Sequence, residues 1–256
     1  MKKHLLLITL ILLLMVTGCQ PTKDASDSTP TPDSTSQTES APEPGQPIAV
    51  NAEIILDPAI TDDTDSLLVS SYIYEGLVRL DENNNVQPGL ASSWVISDDQ
   101  LDYIFELRSN AKFSDGTPIT TDIIVDNFNR WFDPQSPLHG NGNYPTWLSK
   151  FLAFNGERDA DDRAKSLVDG IQKVDQNTVL IHLNRPAPET LEFLAHPAFA
   201  ILHPDSLATA GYGTQDSTII SSGAYIVSNW DDSGLTLSPN PNYWNPTTET
   251  VSFVWK

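Results

Sequence analysis

The side chains best able to do chemistry here are five histidines, one cysteine and 34 carboxylates, and their spacing points away from catalysis. His139, His182, His196 and His203 show no metal-ligand spacing, and no paired-histidine zinc motif, serine elbow or phosphate-binding glycine loop is present. Asp81, Asn83 and Asn85 imitate the start of a calcium loop, but its sixth position is Val86, where the sharp turn needs glycine, so the cluster reads as a turn. Asp159, Asp161 and Asp162 lack later ligands and read as a solvated acidic loop. Asp98-Asp99 and Asp231-Asp232 are neighbours in turns, whereas a glycosidase needs two carboxylates facing across a cleft. Gly140-Asn141-Gly142 and Gly211-Tyr212-Gly213 lack the third glycine of a dinucleotide site. The expectation is a protein that is not an enzyme, with no catalytic residue, no metal ligand and no cofactor. An extracellular hydrolase would need a nucleophile constellation that the chain does not show.

Cys19, the lone cysteine, closes a different kind of pattern. Met1-Lys2-Lys3-His4 is basic, Leu5 to Val16 is apolar apart from Thr9, and Val16-Thr17-Gly18 leads into the thiol. The apolar run is shorter than the roughly 20 residues a spanning helix needs. A charged start, a short apolar core and small residues mark a secretory signal over 1–18. The thiol at the cut resembles the lipobox of bacterial lipoproteins, in which the cysteine is lipidated and becomes the new N-terminus. An ordinary signal peptide with no role for Cys19 is the alternative, but one cysteine cannot form an internal disulfide and so calls for another explanation. Residues 19–47 are rich in Pro, Ser, Thr, Asp and Glu, too polar to offset the entropy of ordering. They read as a disordered tether whose ends sit roughly 30 Å apart. The expected location is extracytoplasmic, periplasmic or at the cell surface, with a lipid anchor in the membrane.

Losing residues 1–18 removes Lys2 and Lys3 and takes the formal charge from −20 to −22. A surface so acidic argues against nucleic acid, which needs basic patches, and against electrostatic docking on anionic lipid.

Residues 48–256 are enough for one or two domains and alternate strand and helix patterns. Ile48 to Leu56 reads as an opening strand. Ser66 to Leu77 reads as a helix on Val69, Ile73 and Leu77, with Gly76 placed to end it. Val78 to Leu80 and Val86 suggest a strand pair around the 81–85 turn. In Tyr103 to Arg108, Tyr103, Phe105 and Leu107 face one way and the polar residues the other. Thr120 or Thr121 caps a helix through Phe132, lined by Ile124, Phe128 and Trp131. Val179, Ile181 and Leu183 alternate along a further strand, and Leu191 and Leu194 suggest a short helix. Ala224–Trp230, Leu235–Ser238 and Val251–Trp255 are three closing strands. The class is α/β (mixed α+β).

Across these elements runs an ordered series of motifs: Leu56-Asp57-Pro58-Ala59, Tyr74-Glu75-Gly76-Leu77-Val78, Pro88-Gly89-Leu90-Ala91-Ser92-Ser93-Trp94, Phe105-Glu106-Leu107-Arg108, Lys112 to Thr120, Ser222-Gly223-Ala224-Tyr225 and Asn240-Pro241-Asn242-Tyr243-Trp244. The series resembles the family 5 solute-binding proteins of ABC importers, the dipeptide- and oligopeptide-binding type, from about Ile48 to Lys256. Several motifs read as structural: Trp94 and Phe113 as core anchors, Asp115-Gly116 as a turn, Arg108 as the partner of a nearby acid.

The resemblance implies the first lobe of a type II periplasmic-binding-protein-like fold that closes by a hinge on an extended ligand. It implies a peptide ligand paired along its backbone as an added strand, delivered to a permease and its ATPase. Nickel, oligosaccharide and opine ligands also occur in the family. By the same resemblance Asp62, Asp63 and Thr64 lie along the peptide, and Leu138 and His139 form a second contact, with leucine where oligopeptide binders often carry tyrosine. Ser222 is a third candidate. Tyr144, with Trp147, is placed near the cleft by proximity, and core packing is the competing reading for both. Family members are much longer, and this sequence stops where they cross into the second lobe, which supplies the opposing wall and the acid for the peptide's amino terminus. Residues 48–256 are therefore expected to bind peptide weakly or not at all. The competing function is a one-lobe surface interaction or sensing module without transport.

Overall fold

The computed structural model describes residues 45–256. The expected signal 1–18, Cys19 and nearly all of the tether lie outside the described residues. No described helix is long and apolar enough to cross a membrane.

Among the described residues ten strands and five α-helices organise two hydrophobic cores. The larger core lies under a four-stranded antiparallel sheet ordered β4-β5-β7-β6: β4 Ala91–Ile96, β5 Asp102–Leu107, β6 Val168–Lys173 and β7 Thr178–Leu183. The alternation predicted for β5 and β7 is what builds it. Tyr103 pairs with Ile181 and Phe105 with Val179 across the ladder, and with Leu107 and Leu183 all six inward residues of the two strands are buried. Helix α2, Thr121–Phe132, covers this sheet. Its N-cap is Thr120, whose hydroxyl accepts from Ile123 N at 3.4 Å. Ile124, Phe128 and Trp131 point inward as read, and Phe128 and Phe132 stack with Trp147 of α3, Pro145–Phe151.

The second core lies under a sheet ordered β1-β10-β9-β8: β1 Ile48–Val50, β8 Tyr225–Asp231, β9 Gly234–Pro239 and β10 Val251–Trp255, with β1 parallel to β10. Helix α1, Thr64–Ile73, packs there through Val69 and Ile73. A hairpin of β2 Val78–Leu80 and β3 Val86–Pro88, the short α4 Thr190–Leu194, a 3-10 turn Pro197–Phe199 and α5 Pro204–Ala208 complete the chain.

Three boundaries differ from the sequence reading because tertiary partners took over. The first strand stops at Val50, not Leu56. Beyond it Asn51 N donates to the Asp65 carboxylate, Ile55 N to the Ser66 hydroxyl and Leu56 N to Gly213 O, so no ladder is needed. Helix α1 ends at Ile73, not Leu77, because Ile73 O accepts from Gly223 N and Glu75 pairs outward with Ser222 and Ile201. Among the described residues Arg108 forms no ion pair; its guanidinium lies 3.5 Å over the Trp244 ring and its Nε donates to Gly89 O. Strand β4, strand β6 and helix α3 were not anticipated. The strands are irregular, with register shifts at Ala91/Ser93 and Val168/Gly170, which break the alternation that marks a strand. Phe113 is fully buried, while Trp94 is only partly buried against the core.

Candidate ligand-binding face

Arg130 sits on the apolar side of α2, between Phe128 and Trp131, and a buried guanidinium there requires a partner. The partner is Asp57 of the Leu-Asp-Pro motif. Nη1 donates to Oδ1 at 3.0 Å and Nη2 to Oδ2, a bidentate pair in which the two residues are 8% and 4% exposed. Burial opposes the Arg130 charge, but the Asp57 carboxylate outweighs it and holds the guanidinium above its ordinary value.

The pair anchors the loop after α2. His139 Nδ1 donates to Arg130 O at 2.8 Å, which fixes the proton on that nitrogen, and Tyr144 Oη donates to His139 O at 2.5 Å. Tyr144 adopts a left-handed backbone, φ 42°, and its ring packs on His139 at 4.7 Å. This loop faces the segment 206–212 across a cleft of about 470 Å³ that also takes in Asp57 and Ile60. Tyr212 is fixed from behind, its hydroxyl 2.6 Å from that of Tyr74, which donates to Leu56 O.

Leu138, His139 and Tyr144 thus line one cleft. Tyr144 is 1% exposed and its hydroxyl is spent internally, so it offers a ring wall and no donor. Asp62, Asp63 and Thr64 follow Ile60 at the entry to α1. Asp63 is the N-cap, its carboxylate accepting from Ser66 N at 2.7 Å, and Thr64 begins the helix. Asp62 is exposed, and among the described residues its amide and carbonyl have no hydrogen-bond partner. Ser222 is elsewhere: buried, accepting from Glu75 N at 3.1 Å and donating to Ile201 O at 2.6 Å. Trp147 is inside the larger core, its Nε1 donating to Ala153 O. Among the described residues no group of three or more His, Cys, Asp or Glu converges as a metal site.

Sequence reasoning missed the role of Asp57 and Arg130. A charge on the buried stripe of an amphipathic helix was the available signal. It also missed why the motifs occur together. The Glu75 carboxylate accepts from Tyr243 Oη at 2.9 Å and Trp244 Nε1 at 2.7 Å, while Ser222 holds its amide and Arg108 stacks on Trp244. Four of the seven motifs meet around this one residue.

The model of the bacterial extracellular solute-binding proteins, family 5, matches residues 85–254, more than half of the chain. This chain belongs to family 5. Among its relatives, the periplasmic murein peptide-binding protein MppA of Escherichia coli (strain K12) is 30% identical over 195 residues, which are 74% of this chain and 35% of MppA. The periplasmic oligopeptide-binding protein OppA of Salmonella typhimurium is 30% identical over 203 residues, 78% of this chain and 36% of OppA. The solved structure of HbpA2 from Haemophilus parasuis superposes with a TM-score of 0.69 at 30% identity, covering 82% of this chain and 42% of HbpA2. The family 5 chain here therefore spans about a third of the length of these curated relatives, and its mixed α/β fold corresponds to a single lobe of theirs.

Proposed function

We propose that this family 5 chain is the first lobe of a peptide receptor serving an ABC-type importer, held outside the membrane by lipid on Cys19. The observation that carries the reading is the free backbone of Asp62, two residues beyond Ile60 of the cleft that Leu138 and His139 line. An extended peptide can add there as a strand, its main chain supplying affinity and the cleft receiving a side chain. The peptide-binding names of MppA and OppA support the ligand class. The acidic body and the Val16-Thr17-Gly18-Cys19 pattern support an extracytoplasmic, lipid-tethered protein without nucleic-acid partners.

The test is calorimetric titration of defined tri- to pentapeptides into the lipoprotein taken from native membranes. Micromolar binding is expected, falling tenfold or more in Asp62→Pro, which removes the free amide. No peptide binding by the native protein would overturn the reading. Residues 48–256 alone present one wall of the cleft and are expected to bind more weakly than micromolar. Cys19→Ala should abolish incorporation of labelled palmitate and release the protein from the membrane fraction; a labelled, membrane-bound variant would refute the anchor.

A further inference from the structure

Glu75 is 6% exposed, and among the described residues no cation lies within ion-pair distance of it; burial pushes its carboxyl above the ordinary value, partly offset by its two hydrogen bonds and by the nearby Arg79 and Arg108. Its two oxygens accept only the neutral donors Tyr243 Oη and Trp244 Nε1. Both neighbouring guanidiniums are committed elsewhere: Arg108 is stacked on Trp244 and bonded to Gly89 O, and Arg79 donates through Nε to Pro88 O at 3.2 Å. A buried carboxylate whose nearest guanidiniums stand beyond ion-pair reach is only partly compensated, and a cation in direct contact favours it.

The surroundings of Glu75 supply a place for one. It lines a pocket of about 190 Å³ with Tyr72, Arg79, His196, Tyr225 and Tyr243. The Tyr72 and Tyr225 ring centroids are 5.7 Å apart and tilted by 57°, and Tyr243, held by its bond to the carboxylate, lines the same pocket. Tyrosine faces attract organic cations through the ring quadrupole. Burial pushes His196 in the wall below its ordinary value, helped by Lys150, and its Nδ1 accepts from Ala198 N at 3.2 Å. The formal charge of −20 raises the local concentration of cations around the molecule. This pocket shares no lining residue with the cleft at Arg130.

We infer that the pocket walled by Tyr72, Tyr225 and Tyr243 over Glu75 is a second binding site, for a small alkylammonium group. Such a group occurs as a free quaternary amine or as a lysine side chain, and the volume admits either. The ammonium sits against the carboxylate and its methyl or methylene groups lie on the rings. Arg79, at the pocket, is a competing positive charge.

The test is calorimetry on the full protein with choline, N-acetyl-lysinamide and the neutral choline isostere 3,3-dimethylbutan-1-ol. Saturable binding of choline or of the lysine derivative is expected, at least tenfold tighter than the alcohol; whichever cation binds identifies the source. Glu75→Gln should weaken it tenfold or more. Because that change disturbs two buried donors, Tyr225→Ala and Arg79→Gln provide the independent reading: the first should weaken binding at least threefold, and the second should tighten it. Absence of cation binding, equal binding of the alcohol, or no response to both Tyr225→Ala and Arg79→Gln would overturn the proposal.

Discussion

Arg130 and Asp57 carry the largest single electrostatic commitment near the cleft. Removing one member of a buried, bidentate pair leaves an uncompensated charge, which typically costs about 3–5 kcal/mol. Arg130→Met is therefore expected to lose stability on that scale in urea unfolding and to loosen the 137–144 loop, whose His139 hangs on the Arg130 carbonyl. The double variant Arg130→Met with Asp57→Leu should recover much of the loss, since replacing both partners by apolar groups removes the stranded charge. The pair was not legible in the sequence because its members are far apart in the chain and meet only when α2 docks. Tyr144 shows the same limit from the other side. Its type suited a cleft wall, but the tertiary fold spends its hydroxyl on His139 O.

At the scale of elements, backbone geometry decides which turns tolerate change. Gly213 has φ 96°, its carbonyl accepts from Leu56 N at 2.7 Å, and a Cβ there would come within 2.5 Å of Asp57 N. Gly213→Ala should cost about 1–3 kcal/mol or more, from the left-handed backbone plus the collision, and calorimetric unfolding would measure it. The β8–β9 turn makes a pH prediction. Asp231 accepts from the Ser233 hydroxyl at 2.6 Å and the Asn229 amide at 2.7 Å, and these bonds hold its carboxyl at about 2. A lowered folded value means the bonds contribute above the ordinary carboxylate range and are lost as pH falls through about 2. A carbon-detected titration should place the Asp231 midpoint there; an ordinary midpoint would refute the turn geometry. Elements with clean periodicity, β5, β7 and α2, were legible residue by residue. Strands β4 and β6 were not, because a bulge shifts their pattern, and α1 was overextended because Leu77, in phase with the helix, is buried in the other core.

Across residues 45–256, buried polar contacts tie the two cores together. Asn127 of α2 accepts from Leu202 N and donates to Leu202 O, both at 2.9 Å, and Arg130–Asp57 and the Glu75 network add further ties. These buried bonds predict one cooperative transition, with tryptophan fluorescence and far-ultraviolet circular dichroism coinciding in urea. Asn127→Ala, which strands the Leu202 amide and carbonyl, should cost about 1–3 kcal/mol and is the variant in which the two probes separate first. Separate transitions in the unaltered protein would show that the cores fold independently.

The sequence by itself determined the family, the mixed α/β class and the burial pattern of the regular elements. Those depend on local chemistry: apolar residues at the strand or helix period, a capping hydroxyl, and motifs in a set order. It placed Leu138 and His139 near Asp62 only through resemblance. The tertiary structure decided what the motifs are for, gathering Ser222 on the Glu75 amide, Trp244 on its carboxylate and Arg108 on the Trp244 ring, and bringing Asp57 to Arg130. The physical reason is that a buried charge is satisfied by whatever donor the fold brings within about 3 Å. Separation along the chain carries no information about which donor that is.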